Sequence, residues 1–227
     1  MAAGGFRAAI AMTFDQHPLG LLVLLGVLSL LPLIAITTTS FLKISVVLIL
    51  VRHALGVQQA PPTMALNAIA LAVTMFVMAP TFEASFAIAR DGAPQSTGRE
   101  QVAYALAVAE PLRQFMLRNT RPEQRERFLD IARRGSPASA KPSARADDWT
   151  ILVPAFVVSE LQAAFEIGLL LFVPFVVIDL LVSNVLLAMG MQMVPPIMVS
   201  LPLKLLLFVV ADGWGKLLHA LAISYRS

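Results

Sequence analysis

Apolar residues along this chain fall in two long blocks separated by one polar segment. Residues 19–36 carry no charge and are interrupted only by Pro32, and after TTTSF the apolar character resumes as ISVVLILV up to Val51. An unbroken helix over that whole length would span about 50 Å, against a hydrocarbon core of about 30 Å. The stretch is therefore expected either to kink at Pro32 or to extend beyond a bilayer. RHALGVQQAPP supplies Arg52, His53, Gly56, Pro61 and Pro62, which read as a helix end and a turn before a second apolar run at residues 64–80. The other block runs from Trp149 to Met189 with Pro154 and Pro174 inside it; MGMQMVPP follows, then residues 197–211 and DGWGKLLHALAISYRS. Between the blocks, residues 100–134 have helical composition, with Val102, Leu106, Ala109, Phe128, Leu129 and Ile131 as apolar positions, and RRGSPASAKPSARADD reads as a flexible linker. The pattern predicts an all-α membrane protein of about four hydrophobic helical regions, paired as broken hairpins around a small helical polar domain. The expected divisions are 1–82, 83–150 and 151–227. The amino end has one arginine and no clear cleavage site after its apolar run, and is read as an uncleaved, peripheral segment.

Composition sharpens this. The 227 residues are 58% hydrophobic and 14% charged, where soluble domains have roughly 45–50% and about 25%. Residues 81–150 hold 11 of the 17 Lys and Arg and 9 of the 14 Asp and Glu, so the flanks are nearly charge-free. With no cysteine there is no disulfide framework, thiolate metal site or cysteine nucleophile. The pI of about 9.7 does not point to nucleic acid, because the basic residues of the middle segment alternate with acids and few aromatics.

Six charged residues lie inside or at the edge of the apolar blocks: Lys43, Glu160, Glu166, Asp179, Lys204 and Asp212. A charge at the centre of a membrane helix costs roughly 2.5–3.5 kcal/mol on insertion scales, so such groups need partners or water. They can pair between helices or subunits and fix an assembly, line a conduit or proton relay, or simply snorkel to the membrane interface. The near balance of acids and lysines favours pairing, and Lys204 is expected to meet Glu160 or Glu166. Met189, Met191, Met193 and Met198 cluster beside Gly190, Pro195 and Pro196. Such a loop is either soft filler in a membrane turn or, with several copies converging on an axis, a deformable seal. His17, His53 and His219 are far apart in sequence, and no Gly-rich phosphate loop is present, so neither a metal nor another cofactor is expected. Two other classes stay open at this level. One is a small secondary transporter or ion-translocating subunit using Glu166, Asp179 and Lys204, and the other an intramembrane hydrolase built on Ser159.

Three blocks in order carry a family resemblance. TTSFLKISVVLILVRHALGVQQAPPTMALNAIALAVTMFVMAP, PAFVVSELQAAFEIGL and PLKLLLFVVADGW resemble the signatures of the type III secretion export-apparatus family, called SctR, YscR or HrcR in injectisomes and FliP in flagella. MGMQMVPP resembles the family's methionine-rich loop. The resemblance implies a multi-pass protein of the Gram-negative inner membrane and no enzymatic activity. It implies a homo-pentamer that joins two smaller SctS-like and SctT-like subunits, with larger export-gate and inner-rod or needle proteins nearby. The resulting helical gate would pass unfolded secreted substrates. By motif position the sealing gasket falls on Met189, Met191 and Met193, and Gln192 departs from members in which the run is all Met. The positive-inside rule, applied naively, puts the Arg-rich middle in the cytoplasm. The resemblance puts it in the periplasm with both termini, and the short loop with Arg52 and His53 agrees with that, since the rule holds for loops below about 60 residues. The short amino end and the wording of the first motif lean to the injectisome branch. Pro32, Pro154 and Pro174 are themselves expected to break helices that would otherwise be ordinary spans, and broken helices are tolerated where protein rather than lipid covers the freed backbone groups, as in an oligomer.

Overall fold

The computed structural model of the chain describes residues 18–57, 60–90, 98–135 and 145–225. The amino-terminal segment before Pro18 and most of the expected linker lie outside the described residues. All described elements are helices: α1 (Pro18–Thr38), α2 (Phe41–Ala54), α3 (Thr63–Arg90), α4 (Gly98–Asn119), α5 (Pro122–Gly135), α6 (Trp149–Ala188), α7 (Ile197–Val210) and α8 (Gly213–Ile223). α1 as far as Ile36 belongs to one compact unit, and the described chain from Thr37 onward to a second. α1 is leucine-rich on every side, with Leu25, Leu28, Leu30 and Leu33 all exposed. The Ser29 hydroxyl donates to the Gly26 carbonyl at 2.7 Å, within the helix.

In the second unit α6 is the spine, packing against α2, α4, α5 and α7. Its 40 residues make a rod of about 60 Å, twice the hydrocarbon thickness. The expectation that Pro154 and Pro174 break it is corrected: α6 runs through both, as α1 runs through Pro32. A proline in a helix orphans one carbonyl and strains one turn. A full break in apolar surroundings would leave several backbone groups without partners, which costs more. The interruptions fall elsewhere, at Thr39–Ser40 between α1 and α2, and at Ala211–Asp212, where α7 and α8 meet at 59°.

α2 is the most enclosed helix: Ile44, Val47, Leu48 and Val51 are at most 1% exposed and pack with Leu66 and Ala70 of α3, Ala164 and Phe175 of α6, Phe208 of α7, and Leu217 and Leu221 of α8. The α2–α6 approach depends on Gly168, where any Cβ would strike the Leu50 side chain. A smaller core joins Met78 of α3, Phe115 and Met116 of α4, and Leu152 and Phe156 of α6. The polar middle therefore lies against α3 and α6 through its α4 and α5 helices. Of its expected apolar positions, Val102, Leu106 and Ile131 are exposed, and it is Phe115 and Met116 that reach the core. Arg52, in the last turn of α2, closes the loop to α3 by donating to Thr63 Oγ1 at 2.9 Å and the Pro61 carbonyl at 3.3 Å.

Outside these cores the apolar helices are bare. α3 buries only the stripe Leu66, Ala70, Thr74, Met78, while Leu71, Met75 and Phe76 on its other faces are more than half exposed. On α6, Leu169, Leu170, Leu180 and Leu181 are likewise exposed, as are Leu206, Val209 and Val210 on α7. Soluble monomers rarely expose contiguous apolar patches beyond a few hundred Å². α3 and α6 are long and apolar enough to cross a membrane, and α1 with α2 and α7 with α8 add up to two interrupted candidates.

Where the polar middle rejoins α6, Arg113 of α4 grips Glu110 with two bonds of 2.7 and 2.8 Å and reaches Asp147 Oδ2 at 3.1 Å. These bonds hold the Glu110 and Asp147 carboxyls below their usual pKa values. A carboxyl whose pKa drops on folding stabilises the fold above its unfolded value, and that contribution disappears as pH falls through the folded value. In a Trp214→Phe background, Trp149 emission is expected to stay constant at neutral pH and shift only below about pH 4. Arg113→Gln should show the acid form's emission already at pH 7, and an Arg113→Gln protein with unaltered titration would refute the tether.

Candidate functional site

Five of the six charges that stand out in the sequence gather into three pairings, all centred on α6. Lys43 of α2 and Glu160 of α6 face each other with Nζ 3.6 Å from Oε1, their side chains 7% and 2% exposed. Tyr225, just past the end of α8, completes this pair. Its hydroxyl donates to Glu160 Oε2, its ring lies 3.6 Å below the Lys43 ammonium, and it stacks on Phe115 at 5.7 Å. Four elements, α2, α4, α6 and the chain end, thus converge on one buried salt bridge. A buried pair contributes little net stability against an apolar replacement, but removing one partner costs about 3–5 kcal/mol.

Lys204 does not meet Glu160 or Glu166, the partners expected from their shared isolation in apolar surroundings; its Nζ lies 2.6 Å from Asp179 Oδ2, joining α7 to α6. The reason is helical register. Asp179 lies on the second half of α6, the part that α7 packs beside as it returns from the loop, whereas Glu160 and Glu166 lie three to five turns earlier. Glu166 instead accepts from Arg121 Nη1 at 2.9 Å, and Gln162 adds a bond of 3.1 Å to the same oxygen. Arg121 opens α5, so this bridge fastens the polar helices to α6. Ser159 joins the same seam: its hydroxyl donates to the Ala155 carbonyl at 2.8 Å and accepts the Arg121 amide at 3.1 Å. Both lone-pair and proton are engaged with backbone, which argues against a nucleophile.

Asp212 has no ion-pair partner among the described residues; it shapes the α7–α8 bend. Its φ of 52° lies in the left-handed region that aspartate tolerates better than most residues. Gly213 follows because any Cβ there would strike the Phe208 ring, and Gly215 leaves room for the Asp212 carboxylate over the first turn of α8. The motif ADGW is thus explained by backbone geometry.

The methionine loop caps the far end of α6. Gly190, at φ 72°, ends the helix: the Met191 amide bonds back to the Leu186 carbonyl at 2.9 Å and the Gly190 amide to Leu187 at 3.0 Å, closing the last turn with a left-handed residue as glycine allows. From this turn Met189, Met191 and Met193 project with 68%, 41% and 97% exposure, and Met198, in the first turn of α7, is 70% exposed. The loop is thus based on a closed helix end and bare at its tip. Tyr225 and Arg121 are the residues that sequence reading missed. Among the described residues no group of three His, Asp or Glu is placed to hold a metal.

The bare apolar helices and the charges neutralised between them define an all-helical membrane protein. The chain matches the FliP family over residues 24–221. It is 49% identical over 206 residues to the harpin secretion protein HrpW of Pseudomonas syringae pv. syringae, covering 90% of this chain and 99% of that one. It is 48% identical over 217 residues to the harpin secretion protein HrcR of Erwinia amylovora, covering 94% and 99%, and 44% identical over 218 residues to the virulence protein YscR of Salmonella typhimurium strain LT2, covering 94% and 100%. The chain belongs to the FliP family, the type III secretion export-apparatus family that its motifs resemble.

Proposed function

We propose that this chain is a core subunit of the inner-membrane export gate of a type III secretion system, in the injectisome branch, and that the gate is closed by its methionine loop. Family membership supports the system, and the relatives' names, which refer to harpin secretion and virulence, support the branch. The observation that carries the gate is the loop itself: four apolar, flexible side chains at and just beyond a fixed helix end, all of them exposed among the described residues. Copies of the chain, as a pentamer with the two smaller subunits, would bring these side chains together on an axis. Thioether side chains can then close around shapes of different width, as unfolded substrates present. In this reading the exposed faces of α3, α6 and α7 meet sister subunits and lipid, the 83–150 segment is periplasmic, and the α2–α3 loop with Arg52 is cytoplasmic. Lys43–Glu160, Lys204–Asp179 and Arg121–Glu166 are structural pairs that make each subunit a fixed unit for assembly.

Deleting the gene in its own host is expected to abolish secretion while leaving growth intact. The tagged chain should co-purify with two short hydrophobic subunits in a large complex. Substrate-driven ion flux from the chain alone in vesicles, without such a complex, would overturn the reading.

A further inference from the structure

A crevice of about 440 Å³ opens between α3, α4 and the chain end, within the range of small-molecule sites, about 300–1,000 Å³. Its floor is apolar, from Val77, Phe115 and Tyr225, and Thr81, Arg118 and Asn119 stand among its walls. Its depth is set by the sequence of α3. The apolar run ends at Pro80, and the first charge after it is Glu83, which is not part of the wall. The crevice therefore straddles the level at which α3 leaves the apolar zone, where phospholipid headgroups lie. Arg118 is exposed and bonds only weakly, at 3.4 Å, to the Gln114 carbonyl. Unlike its neighbours Arg113 and Arg121, it has no carboxylate partner among the described residues.

We infer that this crevice binds an anionic phospholipid, with the phosphate on Arg118 and the top of an acyl chain on Val77 and Phe115. A guanidinium can hold two phosphate oxygens at once, Thr81 offers a hydroxyl, and the floor provides the apolar contact that a free anion would not need. The inference rests on the membrane location of α3 and on no feature of the gate. Because Tyr225 forms part of the floor and also holds Glu160, the lipid would lie against the same residue that secures the buried salt bridge.

Native mass spectrometry of the full chain in detergent, with phosphatidylglycerol or phosphatidylethanolamine added, tests this. Phosphatidylglycerol is expected to be retained preferentially, and Arg118→Gln to lower its retention about five-fold, the worth of one basic residue near an anionic surface. Arg118→Lys should keep most of the retention, Ala84→Trp should lose it by filling the crevice, and Arg133→Gln, far along α5, should leave it unchanged. Equal retention by Arg118→Gln of unchanged melting temperature would overturn the inference. So would displacement of the lipid by inorganic phosphate, which would make the site one for a free anion. Loss of the lipid from the purified oligomer would assign the crevice to a neighbouring copy and overturn it as well.

Discussion

Glu160→Ala is expected to destabilise the protein by about 3–5 kcal/mol, because it leaves the Lys43 ammonium buried without a counter-charge. The environment allows no cheap escape: Lys43 is enclosed on α2, the most buried helix, with the Tyr225 ring covering its ammonium. Glu160→Ala also takes from Tyr225 its carboxylate acceptor, leaving the hydroxyl only the Ser40 carbonyl at 3.4 Å. Thermal melting of the purified chain, followed by circular dichroism, measures the loss, and size-exclusion chromatography shows whether assembly survives it. The double variant Lys43→Met/Glu160→Met separates charge from packing. It replaces a buried pair by apolar groups of similar length, an exchange that is often neutral or better, and should recover most of the lost stability. A Glu160→Ala protein that melts with the wild type, or a double variant worse than either single one, would refute the account.

The second large effect is expected from the triple variant Met189→Ser, Met191→Ser, Met193→Ser. In the isolated chain these side chains are exposed, so melting should move by no more than about 0.5 kcal/mol. In an assembled gate the same side chains are covered by one another, and burying each is worth about 1.5–3 kcal/mol. The variant should therefore admit small solutes into cells that carry the complete system without active secretion, while the wild type excludes them. Dye uptake or membrane potential reports this directly. A tight triple variant, with complex still assembled, would remove the loop from the sealing role.

Much of this architecture is legible in the sequence because it is local. Charge-free runs of this length can satisfy their backbone only as helices, and the Gly190 and Gly56 stops and the methionine cluster are visible as residue types. The partners of the buried charges are not. Lys43 and Glu160 are 117 positions apart, and their meeting depends on α2 lying along α6, which Gly168 permits by having no side chain. Asp179 was equally visible as a partner for Lys204, but choosing it needs the position of the α6–α7 turn to within one helical turn. Tyr225 gave almost no signal: it is one aromatic in a short tail, and its importance comes from four elements that meet only in the folded chain. Pro32, Pro154 and Pro174 mislead as residue types, because proline does break an average helix. In an apolar setting the alternative to a strained turn is a set of orphaned amides, and the helix wins.

The continuity of α6 makes it a brace. Glu160 near one end is anchored to α2 and the chain terminus, and Met189 lies 29 residues further on, about 43 Å away along the axis. Between them Arg121 holds Glu166 and Lys204 holds Asp179, so the shaft is tied to α5 and α7 before it reaches the loop. Past the last tie only about 15 Å of helix remains. The position of the methionine tip is thus fixed relative to a salt bridge at the other end of the rod.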